Sequence, residues 1–250
     1  MIIEKEIKSN KWKYTIFFAL LFILSITIII QYPFIKNLLK QGILEGMPKW
    51  MVQGAAEQSD FNVYLSYNWF DKNLIQISVI FAILLGMSVI SSEVEDHTLE
   101  FLLTRPLSRN NIFIQKTAIQ LIISLLIIFT TTIILALISV IQNYDVNFIR
   151  LIIAIIPLYA KFLIIYGLSL LISLFLDDQV KSGLSTVLLL LIVWGISAIW
   201  NISALNLFSY APISPYYING MFPWVAVIKL YITAFLIYTL SLYKFRVKDF

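Results

Sequence analysis

The sequence predicts an all-α integral membrane protein with six transmembrane helices, and three observations carry that prediction. Hydrophobic residues fill 60% of the 250 positions and charged residues only 13%, against roughly 45–50% and roughly 25% in soluble domains. The apolar residues fall in runs of roughly 17–27, each long enough to cross a hydrocarbon core ~30 Å thick as a helix. Basic residues gather in alternate segments between those runs, the bias known as the positive-inside rule.

The chain opens with Met1–Lys13, in which Ile2, Ile3, Ile7 and Trp12 are set among Glu4, Lys5, Glu6, Lys8, Lys11 and Lys13. That mixture predicts a short amphipathic elbow helix over residues 1–13, lying at the inner membrane surface. The apolar stretch that follows, Tyr14–Tyr32, competes with a signal peptide, but its 19 residues end without a small-residue cleavage site. It reads as an uncleaved first span.

Continuous hydropathy predicts five further spans at Asn73–Ile90, Thr117–Ile141, Arg150–Leu176, Gly183–Trp200 and Trp224–Tyr243. If the first span starts inside, eleven basic residues lie on the inner side: Lys5, Lys8, Lys11, Lys13, Arg105, Arg109, Lys116, Lys181, Lys244, Arg246 and Lys248. Five lie outside: Lys36, Lys40, Lys49, Lys72 and Arg150. Both termini are therefore expected in the cytosol.

Two outer segments stand out. Residues 33–72 carry balanced charge with Gly42, Gly46, Pro48 and Gly54, and are expected to hold short helices on the outer leaflet. Residues 201–223 carry no charge, yet contain Pro212, Pro215, Gly220 and Pro223 beside Tyr210, Tyr216 and Tyr217. Apolar, helix-broken sequence of this kind fits a re-entrant segment enclosed by protein, because lipid-exposed irregular backbone would leave polar groups unpaired. The alternative is an ordinary aromatic-belt loop. With no internal repeat or linker, residues 1–250 read as one membrane domain.

Composition also narrows the function. A net charge of +4 and a pI near 9.1 do not make a nucleic-acid binder, since the lysines and arginines form no basic stripe with interleaved aromatics. There is no cysteine and one histidine, His97, which removes disulfides, cysteine nucleophiles and Cys/His metal clusters. Asp177 and Asp178 are the strongest enzymatic hint, but a hydrolytic site also needs a nucleophile or metal in a dry pocket. They read better as a solvated turn at the end of a helix. Of the two lysines within predicted spans, Lys229 is close enough to the outer surface to snorkel. Lys161 sits about 16 Å along its helix from Arg150, near mid-bilayer, where no span supplies an obvious acid. It is expected to line a cavity between subunits.

The cytosolic segment Ser91–Lys116 combines charge, amphipathicity and a helix breaker. Glu93, Glu95, Asp96 and Glu100 precede or interleave with Leu99, Phe101, Leu102 and Leu103, and Arg105-Pro106 ends any helix. Ser108 then offers an N-cap for the helix entering the third span. Glu93, Asp96, His97 and Glu100 share one helical face, so metal binding is one reading, though one imidazole with three carboxylates on an exposed helix is ordinarily a solvated surface. A plain connector is the second reading. A docking helix for a cytosolic partner is the third.

The run Glu93-x-Glu95-Asp96-x-Thr98-Leu99-Glu100-x-Leu102-Leu103-x-Arg105-Pro106-Leu107-Ser108-Arg109 resembles the loop after the second span in permease subunits of type-2 ABC exporters. The elbow, six spans, internal termini and broken segment before the last span resemble that family across nearly the whole chain; the enlarged segment 33–72 departs from it. The resemblance implies that residues 91–109 hold the coupling helix, with Glu93, Glu95, Asp96, Thr98, Leu99, Glu100, Leu102, Leu103, Arg105 and Pro106 contacting an ABC ATPase subunit. It also implies a homodimer of permeases in the bacterial cytoplasmic membrane. This chain has no G-x-x-x-x-G-K-[ST] loop, so it would carry no cofactor, and ATP and Mg would belong to the partner ATPase. More narrowly, size, Ile/Lys/Asn-rich style and elbow resemble the permeases of staphylococcal exporters of phenol-soluble modulins, which implies amphipathic peptide substrates. An intramembrane protease or lipid-modifying enzyme, and a membrane scaffold or sensor, are the competing classes.

Overall fold

A computed structural model describes residues 2–40, 58–95, 108–176, 178–202 and 205–248. The described residues are helical apart from short connections, and six of the helices are long and apolar enough to cross a membrane. These are α1 (Ile2–Lys40), α2 (Phe61–Glu95), α3 (Arg109–Ile141), α4 (Phe148–Ser173), α5 (Gln179–Trp200) and α7 (Trp224–Val247), with a short α6 (Ser214–Asn219) before the last. The predicted six-span fold class is the observed one.

The first helix differs from its expectation. Residues 2–40 form one uninterrupted helix of 39 residues, about 58 Å long at 1.5 Å per residue, with no separate elbow over 1–13. The reason is visible in its buried positions: Glu6, Asn10, Tyr14, Phe17, Leu21, Ser25, Ile28 and Tyr32 recur every three or four residues. They form one stripe facing α3. The stripe starts polar and ends apolar, which is why hydropathy alone divides it.

The second span also starts earlier than predicted, at Phe61, so that part of the expected outer segment 33–72 is membrane-spanning helix. Its residues Ser66–Leu74 are wound as a π-helix. Side chains sustain the wider turn: Asn73 Nδ2 donates to the Asn68 carbonyl at 2.6 Å and Asn68 Nδ2 to the Tyr64 carbonyl at 3.0 Å. Such stretches are rare and concentrate at functional positions. Residues 41–57 lie outside the described part.

Helices α2 and α4 are the most enclosed. They touch closely at Gly86, where a Cβ would stand 2.6 Å from the Tyr166 carbonyl oxygen and 2.7 Å from Ser169 Cβ, and Ser169 Oγ donates to the Ile83 carbonyl at 3.0 Å. Small residues at helix contacts let backbones approach where lipid supplies no hydrophobic drive. Around this pair, α3 and α7 cover one side of α4 and α5 another. Much of α5 faces outward, including Leu184, Leu188 and Ile192.

Candidate functional site

Polar side chains concentrate at the two ends of the bundle. At the end that carries both termini, four helices contribute to a cluster in which Glu6, Glu93 and Lys116 are buried and Lys5 is half-exposed. Lys116 of α3 lies 2.8 Å from Glu93 of α2 and 3.4 Å from Glu6 of α1, and its ammonium also donates to the Val89 carbonyl at 2.9 Å. Lys5 reaches the other Glu93 oxygen at 2.8 Å. Asn10 Nδ2 and Gln120 Nε2 both donate to Glu6 Oε1, and Tyr166 of α4 donates to Gln120 Oε1 at 3.0 Å.

The pairing is balanced, two lysines against two glutamates, and the carboxylates accept several hydrogen bonds. A buried charge survives only when paired and hydrogen-bonded in this way. Beside the cluster, Lys13 of α1 donates to Ser88 Oγ at 2.7 Å and to the Leu84 carbonyl at 3.3 Å. The start of the predicted docking loop is thus tied to α1, α3 and, through Gln120, α4.

This changes the reading of two predicted docking residues. The Glu93 side chain is 7% exposed and engaged within the chain, so its carboxylate is a structural anchor and not a surface acid. Glu95 is exposed, and its Oε1 accepts the Gln179 backbone N–H at 2.7 Å, joining the loop to the first turn of α5. Asp96, Thr98, Leu99, Glu100, Leu102, Leu103, Arg105 and Pro106 lie outside the described residues. At the loop's far end, Ser108 caps α3 by accepting the Asn111 N–H, as its position predicts.

At the opposite end, the segment after α5 is held by side chains from α2 and α4. Lys161, midway along α4 and 3% exposed, donates to the Phe208 carbonyl at 3.4 Å. Asp71, in the π-helical part of α2, accepts the N–H groups of Ile213 at 2.7 Å and Ser214 at 2.8 Å. Arg150 donates to the Tyr217 carbonyl at 3.2 Å and lies over the Tyr216 ring. The segment therefore reaches the middle of α4 and returns to its first turn.

Between the Lys161 and Asp71 contacts, Ala211 adopts φ 51°, a left-handed conformation that costs a non-glycine residue energy and persists when neighbours over-determine it. Tyr217 is buried, which pushes its phenol above the ordinary range, with Tyr216 adding to the rise.

Within the chain Lys161 is enclosed by protein. Asp71, which holds the same segment through its N–H groups, is an acid that hydropathy places in the outer segment because the π-helical stretch is polar. The enzymatic hint also finds a structural account. Asp178 caps α5, accepting the Lys181 N–H at 2.8 Å, and that bond holds its carboxyl below the usual range. Asp177 and His97 lie outside the described residues.

Glu6, Lys116, Gln120 and Asp71 were not singled out by sequence reasoning. Glu6 and Asn10, and Lys116 and Gln120, stand four apart and continue the phase of buried apolar stripes on their helices; that phase is the signal that marks them as internal. Neither the curated proteins nor the solved structures yield a match to this chain. The family model described as ABC-2 family transporter protein matches residues 1–247, so the chain, a six-span membrane protein, belongs to that family as a permease subunit of an ABC transporter.

Proposed function

We propose that this permease works in an exporter driven by a separate ABC ATPase that docks on residues 91–109. Two permease copies and two ATPase subunits would form the transporter in a bacterial cytoplasmic membrane, with both termini cytosolic. Its cargo would be amphipathic or apolar, cytolytic or antimicrobial peptides such as phenol-soluble modulins being the class the sequence resemblance favours. ATP and Mg belong to the ATPase in this reading.

The observation that carries the proposal is the double anchoring of the loop's first turn. Glu93 links it to Lys116 and Lys5, and Glu95 links it to the start of α5. Displacement of the loop by a partner would reach α1, α3 and α5 together. A coupling element needs differential contacts in two states, and a neutral ion cluster supplies contacts that can be exchanged without stranding a charge.

The test uses co-expression with a candidate ABC ATPase subunit and peptide transport into sealed vesicles. The pair of substitutions Leu99→Asp and Leu102→Asp should abolish co-purification. Glu6→Gln and Glu93→Gln with Lys116→Met, which leaves no enclosed charge unpaired, should leave co-purification intact and cut ATP-driven transport. If no ATPase associates, or if transport is unchanged in the second variant, the coupling role fails.

A further inference from the structure

A second feature at the end carrying the termini lies between α3 and α7. There Arg246 Nε donates to Asn110 Oδ1, and one Arg109 nitrogen donates to the Lys248 carbonyl at 2.7 Å and the Arg246 carbonyl at 3.4 Å. All these acceptors are neutral. Neither arginine belongs to an ion pair among the described residues, in contrast with Lys116 about two turns further along α3. Arg246 is exposed and Arg109 half-buried, and among the described residues their hydrogen-bond acceptors are these neutral oxygens.

Above them the α3–α7 seam is closed by Phe113, whose ring stands 5.4 Å from Tyr238 and 5.5 Å from Phe245, and by the 2.7 Å contact of Thr117 Oγ1 with the Tyr238 hydroxyl. Beyond Tyr238 it opens into a crevice of about 250 Å³ between Leu121, Tyr231, Phe235 and Tyr238, floored by Leu163 and Tyr166 of α4. The crevice presents ring faces and aliphatic carbons. Its tyrosine hydroxyls point to protein partners: Tyr231 to the Ile156 carbonyl, Tyr238 to Thr117 and Tyr166 to Gln120.

The two features are spaced like the parts of one molecule. At 1.5 Å per residue, Tyr238 lies about 12 Å from Arg246 along α7 and Tyr231 about 22 Å. A headgroup layer of roughly 5–7 Å over a hydrocarbon leaflet of roughly 15 Å covers that range. Helical phase brings Phe235 within about 20° of Arg246 around α7, so both features lie on one side of the helix.

We propose that this seam binds one anionic phospholipid, its phosphate between Arg109 and Arg246 and one acyl chain in the crevice above Tyr238. The site adjoins the far end of the segment 91–109, with which it shares Arg109, and does not depend on the export reading. Guanidinium forks suit phosphate oxygens, and a hydrocarbon chain is the occupant of the apolar crevice that needs no hydrogen-bond partner, with Phe235 of its lining exposed.

The full-length protein extracted in mild detergent is incubated with phosphatidylglycerol or with phosphatidylcholine of the same chains, and retained lipid is counted by native mass spectrometry. Phosphatidylglycerol should be retained roughly ten- to thirty-fold better, as two basic contacts supply. Arg109→Gln with Arg246→Gln should erase that preference, while Arg246→Lys keeps most of it. Ala234→Phe, which fills the crevice from a residue lining it, should lower retention with the arginines intact. Equal retention of both lipids, no effect of either variant, or equal competition by glycerophosphoglycerol lacking acyl chains overturns the site. A photoreactive phosphatidylglycerol labelled at mid-chain gives a readout on the unmutated protein: adducts at Leu121 or Phe235 support the site, and adducts confined elsewhere overturn it.

Discussion

Lys116 and Glu93 form an ion pair of 2.8 Å with side chains only 4% and 7% exposed, and the same lysine neutralises Glu6 from 3.4 Å. One ammonium on α3 therefore holds carboxylates from two other helices.

Removing it should be costly. Lys116→Met leaves the enclosed Glu6 carboxylate without a cation and Glu93 with Lys5 alone, and should lower stability by about 3–5 kcal/mol, read as a fall in the unfolding midpoint of the purified protein. Adding Glu93→Gln and Glu6→Gln should recover much of the loss, since a neutral cluster of similar shape leaves no charge unpaired. A single variant as stable as the parent would show that the cluster is not enclosed.

Asp71 should control the segment between α5 and α7. Its carboxylate accepts two backbone N–H groups at 2.7 and 2.8 Å, and hydrogen bonds to a charged group are worth about 1.5–3 kcal/mol. Asp71→Ala should raise amide exchange across residues 205–219 while leaving α3 unchanged, and Asp71→Asn should give a smaller increase because one acceptor survives. Lys161→Met should also loosen the turn at Phe208, whose carbonyl it holds. Unchanged exchange in Asp71→Ala would remove the pin.

Gly86 tests the contact of α2 with α4. An added Cβ meets backbone at 2.6 Å, the Tyr166 carbonyl oxygen, which cannot rotate away as a flexible side chain would. Gly86→Ala should cost about 1–3 kcal/mol through forced separation of the helices, seen as a lower unfolding midpoint, and Gly86→Leu should prevent accumulation of folded protein. Tolerance of alanine would mean that the two helices have room to part.

The loop residues show why part of this site was legible and part was not. Acids ahead of a helix-ending Arg105-Pro106 and a capping Ser108 mark a cytosolic element directly, because capping and proline chemistry are local. Where Glu93 points is not local. Its partners Lys5 and Lys116 are 88 and 23 residues away, and nothing in the loop tells a carboxylate that faces a partner protein from one that faces a lysine on the next helix.

The six spans, their order and the polar loop between the second and third were decided by the sequence alone, because the length and hydropathy of each run answer to the bilayer and to nothing else in the chain. The tertiary structure decided which polar residues are internal. It merged the predicted elbow with the first span through Glu6 and Asn10, drew Asp71 out of the outer segment into the π-helical part of α2, and gave Lys161 a carbonyl partner within the chain. In each case a polar group in a poorly solvating environment takes the partner that helix packing brings within reach, and that partner is set by contacts far apart in the chain.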